Sequence, residues 1–175
     1  MGKQKLKAYL KDLDQAEIEE QLIELYETSK DVKKYYDFLL SPKEDRLVDE
    51  WKSKISKEYF PAHGKRRKAR RSIGQKAVKE LTFLGVSSDV VADVRLYAIE
   101  IAILFTVEQK RSDVAFYKSF ESQFDQALAF LRYNGILSDF KPRCSEIVNR
   151  VEEAQWSNAA GFKEKYINYY LKKKE

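Results

Sequence analysis

Apolar residues recur along this chain at intervals of three and four, with polar residues between them, and that spacing predicts one helix after another. Leu6, Tyr9, Leu10 and Leu13 mark a first short helix. Asp14 stands three residues before Glu17, the arrangement that satisfies free amides at a helix start, and Ile18, Leu22, Leu25 and Tyr26 carry a second helix onward. Asp31 is placed to open a third, with Val32, Tyr35, Tyr36 and Leu39. Ser41-Pro42-Lys43-Glu44 puts proline where a first helical turn tolerates it. The fourth helix then runs through Leu47, Val48, Trp51, Ile55 and Tyr59 until Pro61 stops it.

Downstream, His63-Gly64 leads into a segment expected to be helical to about Leu84, with Gly85 ending it. Ser88 or Asp89 starts a long apolar helix reaching about Glu108. Ser112 or Asp113 starts the next, with Phe116, Phe120, Phe124, Ala127 and Leu131 on one stripe and an end near Gly135. Residues 138–154 carry Ile147, Val148 and Val151. A last helix, from Ala159 to about Lys172, carries Phe162, Tyr166, Tyr169 and Tyr170. The expectation is an all-α fold of eight or nine helices in consecutive antiparallel pairs, as an orthogonal bundle or a short curved stack. No repeat or low-complexity linker divides it, so residues 1–175 are expected to form one domain.

Composition agrees with helices: 6 Gly and 3 Pro are too few for a chain of tight β-turns. The single cysteine, Cys144, excludes an intramolecular disulfide. The N-terminal stretch lacks the apolar core of a signal peptide, and Leu6 stands where myristoylation needs Ser or Thr. Leu96 to Val107 is too short to span a bilayer. A cytoplasmic location without membrane partners is the expectation.

Charge changes the picture more. Lys65, Arg66, Arg67, Lys68, Arg70 and Arg71 are six of seven consecutive residues, whereas the whole chain nets only +5. On a helix with Ile73 at 0°, Ala69, Ala77, Leu81 and Leu84 lie within about 80° of it. Arg66 and Arg70 fall near +20° and +60° on that apolar side. An ion pair with a partly buried acid is then expected, and Glu100, which interrupts an apolar helix, is the candidate. Arg67, Lys68 and Arg71 point outward and, with Lys65 and the Lys172–Lys174 tail, form a candidate polyanion-binding set. A solvated helix face is the plainer alternative.

Catalytic constellations are thin. His63 and Cys144, the only imidazole and thiol, lie far apart and form no zinc spacing. Glu100, Glu108, Glu121 and Asp125 lack the Glu-x-x-His pairs of two-metal helical bundles. No phosphate-cradling glycine motif occurs. Residues 76–95 mimic helix-turn-helix spacing, but Asp89 and Asp93 would face phosphates and nothing stands ready to read base edges. Neither an enzyme nor a cofactor is expected.

Several segments together resemble a bacterial all-helical family catalogued only as a domain of unknown function. They are Leu6-Lys7-Ala8-Tyr9-Leu10, Leu25-Tyr26, Tyr35-Tyr36-Asp37-Phe38, Glu58-Tyr59-Phe60-Pro61, Lys68-Ala69-Arg70, Glu100 to Thr106, and Phe116 to Glu121. The resemblance implies an all-α fold and supplies no catalytic residues. Where it leads one to expect a Gly-Asp turn after Phe105-Thr106, this chain has Gln109-Lys110-Arg111-Ser112-Asp113. The leading expectation is a non-enzymatic helical module that binds a protein partner. The alternative is non-specific binding of nucleic acid or another polyanion through residues 65–71.

Overall fold

A computed structural model of the protein describes residues 2–63, 65–110 and 113–172. Among these residues there are nine α-helices and no strand: α1 (Gly2–Lys11), α2 (Gln15–Thr28), α3 (Lys30–Leu40), α4 (Glu44–Tyr59), α5 (Ser72–Phe83), α6 (Ser88–Gln109), α7 (Val114–Tyr133), α8 (Lys141–Glu153) and α9 (Ala159–Tyr170). The all-α expectation holds. Chain contacts divide into two compact units, residues 1–43 and 44–175.

In the first unit the Asp14 capping box forms as the spacing predicts. Asp14 Oδ1 accepts from the Glu17 amide at 2.9 Å, and Glu17 Oε2 accepts from the Asp14 amide at 2.9 Å. The cap of α3 is Ser29 rather than Asp31: its hydroxyl accepts from Val32 N, leaving Asp31 in the first turn, where a carboxylate favours the helix dipole. α2 and α3 pack together, and Tyr26 Oη donates to Asp37 Oδ1 at 2.6 Å. No residue of α1, α2 or α3 is buried.

The second unit holds the core. α6 packs against α4, α5, α7 and α8, which explains why its apolar residues surround the helix instead of forming a stripe. Phe116, Phe120 and Phe124 are buried on α7, as their spacing predicts, and Phe124 stacks on Phe162 of α9 at 5.2 Å. Trp156 stacks on Tyr117 at 4.7 Å, and its indole N–H donates to Thr106 Oγ1 at 2.8 Å. Gly85 and Gly135 end α5 and α7 with φ of 75° and 74°, the left-handed backbone a helix C-terminus needs. α6 ends on Lys110 at φ 46°. Asp113 caps α7 by accepting from Phe116 N, while Arg111 and Ser112, also named in that turn, lie outside the described residues.

One large expectation fails. Residues 65–70 are not the first turns of a helix; they run as an irregular strap, and α5 begins only at Ser72. Ala69 sits at φ 48°, incompatible with a continuous right-handed helix. The amides of Lys68 and Ala69 donate instead to the Glu58 carbonyl, at 3.3 and 3.1 Å. Cations packed into a first helical turn also oppose the macrodipole, so the helix starts where they end.

Candidate anion-binding site

Because the strap is not helical, the wheel that divided its charges does not apply. Arg66 is exposed, not turned to the core. Arg70 pairs with Glu58: Nε to Oε1 and Nη2 to Oε2 are both 2.9 Å, and the Arg70 amide reaches Oε1 at 3.1 Å. Glu100, expected to pair with Arg66 or Arg70, instead takes Arg143 of α8, at 2.7 Å (Nε to Oε1) and 2.9 Å (Nη2 to Oε2). Arg143 also reaches Asp93 Oδ1 at 2.6 Å, and Lys52 reaches Asp93 Oδ2 at 2.5 Å. This network joins α4, α6 and α8. Its acids were in plain view in the sequence, but its arginine was not the one the charge pattern suggested.

Glu58 is the anchor of the strap. It lies on the last turn of α4 next to Tyr59, which is buried against Phe105 and Phe116 and fixes that turn. The hydrogen bonds from Arg70 hold its carboxyl below the usual range against the opposing effect of burial, and Lys68 adds to the lowering. Carbonyl and carboxylate together accept five hydrogen bonds from residues 68–70. Two of the segments that carried the family resemblance, Glu58-Tyr59-Phe60-Pro61 and Lys68-Ala69-Arg70, are therefore docked on each other.

The four cations of the candidate polyanion set are all exposed, in two situations. Arg67 Nη1 donates to Gln109 Oε1, and Arg71 Nη1 donates to the Ala115 carbonyl at 2.7 Å. Both acceptors are neutral, so these contacts tether the two guanidiniums without pairing their charge. Lys65 and Lys68 instead border a hollow of about 540 Å³ between α4 and the strap. Its lining is Lys54, Lys57, Glu58, Pro61, Lys65, Arg66, Lys68, Arg70 and Ile73. Six cations thus surround one carboxylate, and that carboxylate is held by Arg70. Lys54 also lies over the Trp51 ring at 4.6 Å and 4.0 Å from Glu50. Lys57, Lys65, Arg66 and Lys68 have no ion-pair partner within 4 Å among the described residues. A second hollow, of about 610 Å³, shares Lys68 and Arg70 with the first and is lined further by Arg71, Gln75, Asp113 and Ser119 among others.

Lys54 and Lys57 are the residues that the sequence pattern missed. They sit three apart on α4, a spacing that shares one helix face, but nothing local ties that face to a segment ten residues downstream. Lys173 and Lys174 of the basic tail lie outside the described residues.

The other candidates for chemistry are scattered. His63 is exposed in a turn. Cys144 is buried, and burial pushes its thiol up to about 11 despite the nearby Arg143. Glu121 accepts from Lys165 at 2.9 Å and from Asn158 at 2.8 Å; burial raises its carboxyl, and these donors bring it below the usual range. Among the described residues no three His, Cys, Asp or Glu side chains gather as a metal site, and no helix is long and apolar enough to cross a membrane. What the molecule does concentrate is positive charge around a hollow.

Comparison with curated proteins and with solved structures finds no match to this chain. A family model described as "Family of unknown function (DUF6155)" matches residues 1–170, and the chain belongs to that family.

Proposed function

We propose that the protein is a non-enzymatic helical module that binds polyanions through the strap and the facing turn of α4. The observation that carries this is the hollow with six cations and a single, already paired, carboxylate. Such a concentration of like charge is unfavourable in the free protein and is relieved when an anion enters. Phosphate-rich polymers supply that anion without any need for base recognition. The test is binding of a labelled duplex at two salt concentrations. With about five phosphate contacts, log K should fall against log salt with a slope near −4.5. An absence of binding at low salt would end this reading.

A protein partner is the second reading, and residues 2–43 favour it. Leu6, Tyr9, Leu10, Ile18, Leu22, Ile23, Leu25, Leu39 and Leu40 are all exposed there. Exposed apolar side chains of this kind support a surface that a partner would cover. Replacing Leu22 and Leu25 by Ser should abolish retention of such a partner in nuclease-treated extracts and leave polyanion binding intact. Retention unchanged by the replacement would count against this surface.

A further inference from the structure

The hollow between α4 and the strap is open toward solvent and gathers the charge of a polyanion surface around one concavity. At about 540 Å³ it is large enough to admit a compact ligand from solvent. Its cations come from two facing walls: Lys57 from α4, and Lys65, Arg66 and Lys68 from the strap. Pro61 and Ile73 add half-buried apolar lining between the charges. A duplex carries its phosphates on a convex cylinder and would reach the rim of such a hollow. A short linear chain of phosphates can enter it and meet both walls at once.

Preorganisation points the same way. Three backbone amides of residues 68–70 donate to Glu58 and the Arg70 guanidinium adds two more bonds, so that end of the strap is held before any ligand arrives. Arg66 adds a planar fork suited to phosphate oxygens, and the three lysines add compact charges around it.

We infer that this hollow is a discrete site for a linear oligophosphate, presented free or as the phosphate tail of a nucleotide. The inference rests on the polyanion reading and narrows it. The full-length protein would be titrated calorimetrically with tripolyphosphate and, in a parallel arm, with a nucleoside triphosphate, and each would then compete against the labelled duplex. Saturable one-to-one binding is expected in at least one arm. Lys57→Ala and Arg66→Ala, both on exposed side chains, should each weaken it at least about tenfold, while Lys163→Ala on α9 should not. Tighter binding of the nucleotide assigns the source to nucleotides; equal binding assigns recognition to the phosphates alone. If the duplex binds but neither compound saturates or competes, the oligophosphate site is overturned and the polyanion reading stands. If nothing binds, both fall. Binding unaffected by Lys57→Ala and Arg66→Ala would place the ligand elsewhere and also overturn the site.

Discussion

The carboxylate of Glu58 and the guanidinium of Arg70 meet as two parallel forks, both N···O distances 2.9 Å, across twelve residues of chain. Only the acid is buried; Arg70 keeps more than half of its side-chain surface in water, so solvent screens the attraction. What the pair fixes is geometry. It closes the loop after α4 and turns the remaining cations of the strap outward.

Acid should loosen the protein. Glu58 is held low by Arg70; Asp93 and Glu121 are raised by burial but brought below their ordinary values by Lys52 with Arg143 and by Lys165 with Asn158. A depressed carboxyl contributes stability that is complete above its unfolded value and is lost as pH falls through its folded value. Those ordinary values are 4.5, 3.8 and 4.5. The urea midpoint should therefore be nearly level from pH 7 to 5 and decline below about pH 4. Glu58→Gln should lower the midpoint at pH 7 and flatten part of that decline. A midpoint that rose on acidification from pH 5 to 3 would contradict the ion-pair account.

Thr106→Val should cost about 1–3 kcal/mol, because it leaves the buried Trp156 N–H without its acceptor while preserving side-chain shape. Denaturant unfolding followed by circular dichroism would measure the cost. A loss below a few tenths of a kcal/mol would mean the indole finds another partner.

Gly74→Ala sets two effects against each other. Alanine favours a helix over glycine by about 1 kcal/mol. A Cβ at this position of α5, however, would lie 2.6 Å from the Ala98 Cβ on α6, and neither atom can swing away. Overpacking of that kind costs about 1–3 kcal/mol, so the substitution should destabilise on balance. Restoring stability with Gly74→Ala combined with Ala98→Gly would identify the contact as the cause.

Cys144 should be unreactive in the native protein. Its side chain is fully buried and its thiol is raised to about 11, so at pH 7.5 almost none is thiolate. Labelling by an aromatic disulfide reagent should be slow without denaturant and rapid in concentrated urea. Rapid native labelling would show that α8 and α9 open readily.

Local signals made much of the fold legible. Asp14 with Glu17, Gly85, Gly135 and the Phe116-Phe120-Phe124 stripe each act within one or two helical turns, where spacing along the chain equals spacing in space. The basic run was legible as composition, but its conformation was not. Assigning it to a helix assumed that its amides bond to carbonyls four residues back, whereas two of them are taken by Glu58, ten and eleven residues away. For the same reason Arg70 and Glu100 went to partners that no periodicity marks.

The sequence by itself determined that this chain is helical, where most of its helices begin and end, and that its positive charge is concentrated in one short run. Tertiary structure alone decided which acid that run would spend on itself, and that Lys54 and Lys57 of α4 would face it across a hollow. Helices and caps are set by neighbours in the chain. The choice among many acids and bases of nearly equal intrinsic affinity is made by packing, here by the burial of Tyr59 that seats the last turn of α4 beside the strap.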